Sequence, residues 1–307
     1  MPPDQAIVFG ASRSGTTFLM SVLDALPEAE CVTGNLFPTP LIHLAAQEPP
    51  PETADLLARS FRGAVRDFIG SASYRSRTAA LRKWWVADRG AAGLRAAARG
   101  ERRERVVVYK EPFLSFAPSF AYSTFPTSRL IYLLRDGRDV ADSMVRKYDI
   151  LSDARLADLE TNEAPLGRRH GKLMIPWWVE AGEEERFVAA DQFGRAIWMW
   201  AAMASRSQAF VESPEVVRSG RILTVRYEEL MADPPGQGAK LIEHLGMTVG
   251  RQARRRLAAA HGRSVGIHAR RDPESVRRAE EIAGAQLRRC GYAVAGDATD
   301  AVGERPH

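Results

Sequence analysis

The sequence predicts an α/β protein of three layers, with a central parallel sheet covered by helices on both faces. Three observations predict it. Short, nearly continuous apolar runs near 6–10, 105–112, 129–134 and 221–230 alternate with helical patterns, as strands buried on both faces do. The first run closes on glycine and leads through a glycine turn into an amphipathic segment, the strand–loop–helix order of a phosphate-binding loop. Charged residues gather just past the strand ends, where open parallel sheets bind ligands: Arg13, Lys110 and Arg135, with Tyr227 beside them.

Taken in order, "AIVFG" (6–10) reads as a strand and "TTFLMSVLDALP" (16–27) as a helix stopped by Pro27. Residues 52–70 and 76–99 both read as helical, the second basic and ending near "RGERRER". "RVVVYKEP" (105–112) is a buried strand stopped by Pro112, and "RLIYLLRDGRDVADSMVRKY" (129–148) is a strand running into a helix. Residues 151–190 lose periodicity, gather charge and carry "IPWWVE", the pattern of a functional or disordered loop. A strong helix follows at 191–212, a fourth strand at 221–230, and helices at 237–247 and 273–290. With no repeat and no break in composition, residues 1–292 read as one domain and 293–307 as a disordered tail.

The 307 residues carry a formal charge of +5, which suits an anionic ligand. The arginine-rich stretch 75–105 lacks the aromatic interleaving of a nucleic-acid platform. Solvated helix faces, or a rim attracting an anionic ligand, explain it, so no nucleic-acid partner is expected. Cys31 and Cys290 have neither metal-ligand nor C-x-x-C spacing, and the histidines show no ligand spacing. That points to a reducing compartment and no metal. There is no run of membrane-spanning length and no room for a signal peptide before the first strand, so a cytoplasmic protein without a membrane partner is expected. The Ala- and Arg-rich composition hints at a GC-rich bacterial genome and specialised metabolism.

"GASRSGTTF" (10–18) sets Gly10 and Gly15 at the spacing of a nucleotide loop, with Thr17 at the final hydroxyl position. Thr16 stands where that loop's lysine is usual. The amides of Ser14, Gly15, Thr16 and Thr17 would open a helix and present unpaired N–H groups to an anion. A loop lysine reaches the β- and γ-phosphates, so its loss argues for a ligand without a γ-phosphate, with Arg13 supplying a charged fork. Lys110 either snorkels to the surface or faces an anion. Arg135 and Ser143, eight apart on a strand end and the following helix, can bind one phosphate, or else belong to the surface charge around Asp136, Arg138 and Asp139. Those aspartates make a poor magnesium site beside Arg135. Tyr227 either meets a purine or is a half-buried structural tyrosine. Trp177 and Trp178 either line an acceptor pocket or simply pack.

Together these features resemble the sulfotransferases that use 3′-phosphoadenosine 5′-phosphosulfate (PAPS), most closely the tyrosylprotein-like and bacterial small-molecule members. The family's 5′-phosphosulfate loop stands as "RSGTT" (13–17), its 3′-phosphate motif as "LIYLLRDGRDVADS" (130–143), its strand-end lysine as "YKEP", and its adenine-contacting tyrosine in "VRYEEL". The closing segment stands as "SVGIHARRDPESVRRAEEIAGAQLRRCGY". The resemblance implies a three-layer P-loop-like fold and in-line, metal-independent transfer of sulfonate from PAPS to a hydroxyl of a small acceptor; Trp177 and Trp178 favour a ring-bearing or apolar one. It implies that Arg13, Ser14, Gly15, Thr16 and Thr17 hold the 5′ end, with Arg135, Ser143, Tyr227 and Ser264 on the 3′-phosphoadenosine. It makes Arg13 and Lys110 catalytic through the charge they neutralise.

The base departs from the family pattern. The two positions at which the family places one are Pro112 and Gly34 here; the alternatives are Glu111, His43, a residue of the 151–190 loop, or an acceptor acidic enough to need no base. Regular alternation would point Glu111 away from Lys110, while His43 has a suitable intrinsic pKa. The family's glycine-arginine-tryptophan reads Gly266-Ile267-His268, which leaves Ser264 as the contact from that segment. Residues 34–105 and 151–190 are expected to shape the acceptor side. Two competing readings are a P-loop kinase or NTPase with an atypical loop, which would require magnesium, and a basic nucleic-acid-binding protein.

Overall fold

In the computed structural model, which describes residues 5–32, 35–71, 75–99, 105–158 and 167–295, strand β1 (Gln5–Phe9) leads through the glycine loop into α1 (Thr16–Asp24). Next come β2 (Ala29–Val32), α2 (Thr39–Ala45), α3 (Pro51–Gly70), α4 (Arg77–Lys83) and α5 (Ala91–Arg99). β3 (Val106–Lys110), α6 (Pro118–Thr124), β4 (Arg129–Leu134), α7 (Gly137–Lys147) and α8 (Asp153–Ala157) follow. A hairpin of β5 (Arg168–His170) and β6 (Leu173–Ile175) precedes α9 (Glu184–Ala189) and the long α10 (Gln192–Val211). The chain closes with α11 (Pro214–Ser219), β7 (Ile222–Arg226), α12 (Tyr227–Ala232), α13 (Pro234–His244), α14 (Arg251–Ala258) and α15 (Pro273–Arg289).

Five strands pair in parallel in the order β2-β3-β1-β4-β7. Strand alternation divides the core into two. Ala6, Val8, Val106, Val108, Ile131 and Leu133 face one way, against α1, α12, α13 and α14. Ile7, Phe9, Val107, Tyr109, Leu130 and Tyr132 face the other, against α3, α6, α7, α10 and α15. Successive strand side chains point to opposite faces, so an unbroken apolar run is what a sheet covered on both sides requires. The three-layer α/β fold is therefore the one the sequence predicts. Among the described residues no helix is long and apolar enough to cross a membrane.

Four local expectations are corrected. β2, at one edge of the sheet, was not foreseen: it has only four residues, one of them Glu30, whose carboxylate pairs with Arg105 at 2.8 Å. The helix expected over 76–99 breaks, because α4 runs into a wider π turn at Trp84–Asp88 that ends on Arg89 in the left-handed region. The strand expected over 221–230 turns into a helix at Tyr227. The stretch 151–190 holds α8, the β5–β6 hairpin and α9, with 159–166 outside the described residues.

At the C-terminal side, Val294 is buried in the core and the amide of Ala295 donates to Glu280, so packing continues past Tyr292. Residues 296–307 of the expected tail, 100–104 of the basic stretch and Gly34 lie outside the described residues.

α4 is anchored far from the carboxyl ends of the strands. The buried Lys83 donates to the carbonyl of Asp24 at 2.6 Å and to its carboxylate at 3.2 Å, at the opposite end of α1 from the glycine loop.

α7 sits close to α10 because its first residue is glycine. A Cβ on Gly137 would come within 2.3 Å of the buried Trp200 ring. Gly137→Ala is expected to lower unfolding stability by about 1–3 kcal/mol through overpacking, read by urea denaturation. An unchanged midpoint would show that the two helices separate at no cost.

Candidate functional site

The carboxyl ends of β1, β3, β4 and β7 bring the loop at Arg13, Lys110, Arg135 and Tyr227 to one side of the sheet. α1 begins directly after Gly15, which has φ 93° and caps the helix without a side-chain hydrogen bond. A helix start of this kind offers N–H groups and a positive dipole end to an anion. The turn before it is held in an unusual conformation. Arg13 has φ 71°, uncommon for a residue with a Cβ, and the amide of Ser14 closes the turn on the carbonyl of Ala11 at 3.0 Å. That amide is therefore committed within the loop, which leaves the amides from Gly15 onward for a ligand.

Arg135 holds this turn in place. It is 4 % exposed, and a buried guanidinium requires partners. Its Nη1 donates to the carbonyl of Arg13 at 2.8 Å, its Nη2 to the carbonyl of Ser264, and Asp139 stands 3.6 Å away. The guanidinium lies 4.5 Å over the Tyr227 ring. Gly15 abuts that ring so closely that a Cβ would come within 2.4 Å of it. The Tyr227 hydroxyl pairs with Ser264 Oγ at 2.8 Å. Arg13 Nε in turn donates to Ser143 Oγ at 3.0 Å. Arg13, Gly15, Arg135, Ser143, Tyr227 and Ser264 thus form one continuous cluster, with Ser14 and Thr16 buried inside it and Thr17 exposed on the first turn of α1.

Pairings inside the cluster differ from the sequence expectation. Ser143 meets Arg13, not Arg135. Tyr227 is already packed by Arg135, Gly15 and Ser264. The departure at Gly266-Ile267-His268 also acquires a role: the amides of Gly266 and His268, and His268 Nδ1, all bond the buried carboxylate of Asp139, at 2.7, 3.1 and 2.6 Å. Although burial opposes ionisation, these bonds and Arg135 hold the Asp139 carboxyl below its ordinary range. Asp136 is occupied by Arg138 at 2.7 Å. Among the described residues no group of acidic, histidine or cysteine side chains is arranged to hold a metal ion.

Two buried polar atoms in the cluster have no hydrogen-bond partner, Ser14 Oγ and Arg135 Nε. Buried polar groups are ordinarily satisfied, so these orphans, beside an uncapped helix start, fit an anionic ligand seated on the loop.

Adjoining the loop at Ser12 is a cavity of about 480 Å³. Phe113, Ile150, Leu156, Pro176, Trp178 and Met199 give it a largely apolar wall, and Lys147, Tyr148 and Asp149 add polar groups. Of the two tryptophans, Trp178 lines the cavity, whereas Trp177 donates its indole N–H to His43. Sequence reasoning missed Ser12, Tyr148 and Asp149. Tyr148 was findable, since it directly follows the helix carrying Ser143 and lies 5.8 Å from the Arg13 guanidinium. Within 34–105, His43 is the only described residue that lines this cavity.

Lys110 ends β3 half-buried, in register with Val8 of β1. Glu111 is 3 % exposed, caps the short 3₁₀ turn Pro112–Ser115 and accepts from the Phe113 amide at 3.0 Å and the Tyr109 hydroxyl at 3.4 Å. Sharing the Tyr109 side of the sheet, it is on the face that holds the cavity, with Phe113 between. Burial pushes its carboxyl above the ordinary range, against the opposing pull of the Phe113 amide and Lys110.

His43 is 2 % exposed among Phe113, Phe116 and Trp177. Its Nδ1 lies 2.8 Å from Trp177 Nε1. An indole nitrogen only donates, so Nδ1 accepts, and in the neutral ring the proton resides on Nε2. His43 therefore has no free lone pair for the proton-accepting role expected of it. Burial also pushes its pKa down to about 4.

A histidine whose folded pKa lies below its unfolded value costs stability as pH falls through the interval between them. Between pH 6.5 and 4 the protein is expected to lose about 3 kcal/mol through His43. His43→Gln should abolish that part of the loss, read as the difference between urea midpoints of the two proteins at pH 7 and pH 4. Parallel pH profiles would show that His43 ionises freely.

The sequence model of a family described as the sulfotransferase family matches residues 5–189. No curated protein matches the chain. Among solved structures, it is similar to the sulfotransferase domain of the Synechococcus PCC 7002 olefin synthase, at 14 % identity over 94 % of this chain and 95 % of that one, with a TM-score of 0.48. A sulfotransferase from Alicyclobacillus acidocaldarius matches at 16 % identity over 96 % and 98 %, with a TM-score of 0.46. Retinol dehydratase in complex with androsterone and the inactive cofactor PAP matches at 17 % over 94 % and 81 %, with a TM-score of 0.39.

Proposed function

The chain belongs to the sulfotransferase family, and from that premise we propose that it moves a sulfonate group from PAPS to a hydroxyl of a small, largely apolar acceptor. The observation that carries this reading is the single cluster of Arg13, Arg135, Ser143, Tyr227 and Ser264 around an uncapped helix start, opening beside an apolar cavity. Bound PAPS supplies a sulfonate already activated by its bond to phosphate. The chain's own residues do the rest.

On this reading the loop amides from Gly15 to Thr17 and the Ser14 hydroxyl hold the 5′ end of the donor. Arg13 and Lys110 neutralise the charge that grows there as the sulfur–oxygen bond breaks, and fixed charges of this kind account for much of the catalysis in such transfers. Thr16 in place of a lysine suits a donor without a γ-phosphate. Ser143 and the Arg135 clamp set the position of the 3′-phosphate. Tyr227 and Ser264 close the adenosine side as a wall that is already packed. The cavity lined by Phe113, Trp178 and Met199 holds the acceptor, whose hydroxyl oxygen attacks sulfur while its proton passes to a base. Glu111 is the candidate for that base: its carboxyl is buried next to Phe113, and burial makes it the more basic. The continuous sheet and its two cores support a single catalytic domain.

Adenosine 3′,5′-bisphosphate is expected to raise the melting temperature in the presence of EDTA, while ATP with magnesium leaves it near its starting value. Arg13→Ala and Ser143→Ala should each weaken that binding by about 10- to 100-fold, the worth of one hydrogen bond to a charged group. A shift with ATP and magnesium but none with the bisphosphate would make the protein a kinase or NTPase instead.

A further inference from the structure

Arg195 of α10 is a second buried guanidinium, 4 % exposed, and like Arg135 it needs partners. Its Nε and Nη2 donate to the carbonyls of Phe187 and Val188 in the last turn of α9, at 3.0 and 2.5 Å. Its Nη1 donates to the carbonyl of Leu151 at 2.9 Å and to the Asp153 carboxylate at 2.6 Å. Gln192, one turn earlier on α10, donates through Nε2 to the carbonyl of Ile150 at 2.7 Å and to the Asp149 carboxylate at 3.1 Å. The parts joined in this way enclose the cavity. Residues 147–151 line it without interruption, and Met199, one turn beyond Arg195, lines it too. Trp178, another lining residue, packs edge to face on Phe187 at 5.7 Å, and the Arg195 guanidinium lies 5.6 Å over that same ring. Within the turn, Leu151 has φ 58°, uncommon for a residue with a Cβ. Such a conformation persists only where its surroundings over-determine it. Here Gln192 and Arg195 hold two consecutive carbonyls, those of Ile150 and Leu151.

We infer that Gln192 and Arg195 are positioning residues that fix residues 149–151 as a rigid wall, so that the cavity selects its occupant by shape. The class it takes is a compact apolar hydroxy compound, and broader ring systems are turned away. A wall free to shift would re-pack around many apolar molecules. One held by a buried cation and an amide keeps a single outline and spends no binding energy on ordering itself. That the occupant is a sulfonate acceptor rests on the sulfotransferase reading, whereas selection by shape does not.

Two fluorescent phenols test it, 2-naphthol with two fused rings and 1-hydroxypyrene with four. Their dissociation constants are read by fluorescence titration without donor, and their KM and kcat by turnover with PAPS. The wild-type protein is expected to bind 2-naphthol more tightly. Gln192→Leu removes both bonds to the wall and should lower the pyrenol-to-naphthol ratio of dissociation constants about 5-fold, the worth of one or two hydrogen bonds. Gln192→Lys, which can still donate to Ile150 and Asp149, should restore most of it. Leu151→Gly takes the left-handed turn without strain but frees the wall, and should lower the ratio as well. The KM ratio is expected to follow, with kcat for 2-naphthol and the affinity for adenosine 3′,5′-bisphosphate little changed. A ratio that stays put in both Gln192→Leu and Leu151→Gly overturns the inference, as does a wild-type protein that binds neither phenol. Loss of kcat or of bisphosphate affinity with the ratio intact would make Gln192 a purely structural residue and overturn it too. Absence of turnover together with no thermal shift from the bisphosphate would count against the sulfotransferase reading, and the ratio measured without donor would still decide the role of the wall.

Discussion

The Arg135 guanidinium is the interaction on which the polar half of this protein depends. A buried, permanent charge has few acceptable surroundings, and here they come from four parts of the chain, three of them distant from Arg135 in sequence. The loop before α1 supplies the Arg13 carbonyl, the closing segment supplies the Ser264 carbonyl, α7 supplies Asp139, and the start of α12 supplies the Tyr227 ring. Because the arginine must satisfy all of them, the glycine loop is fixed relative to the segment that closes over it. The left-handed backbone of Arg13 persists for the same reason: its carbonyl is held from the other side of the crevice. Asp139 extends the constraint, since the charge that balances Arg135 also receives the amides of Gly266 and His268.

Next to this charged cluster lies a cavity of opposite character. Its wall is mostly aromatic and aliphatic, and burial disfavours ionisation of the His43 imidazole within it. A neutral imidazole in an aromatic nest costs little to bury, while a protonated one would carry a charge without a counterion. The two halves meet at Ser12 and Arg13. Such an arrangement suits a reaction between a highly charged donor and a greasy acceptor, with each kept in its own environment until the reacting oxygen meets the sulfonate.

How much of this was readable in the residues varied with the range of the interaction. The apolar runs announced four of the five strands, because strands covered on both faces are apolar almost throughout; β7, at the edge, follows the pattern less strictly, with Thr224 exposed. β2 escaped because four residues that include a paired glutamate carry no such pattern. The helix over 76–99 was legible as helix but not as broken, since the left-handed turn at Arg89 leaves no mark in periodicity. Arg135 and Ser143 were found by their spacing of eight. That spacing places both at one crevice, but it could not say that Ser143 would bond Arg13, a residue 130 positions away. His43 was picked out for its intrinsic pKa, and Trp177 across the fold altered what that nitrogen can do.

By itself the sequence determined the fold class, the glycine turn that leads into a helix over residues 10–18 and the set of side chains gathered at the strand ends. Each of these follows from local pattern: alternation, helical period, and glycine where the backbone must turn. Only the tertiary structure decided which partner each polar atom takes, which nitrogen of His43 bears the proton, and which residues wall the cavity. Hydrogen bonds and burial are set by neighbours in space. Several of the neighbours that matter here, Arg13 with Ser143, Arg135 with Arg13, and His43 with Trp177, lie more than a hundred residues apart.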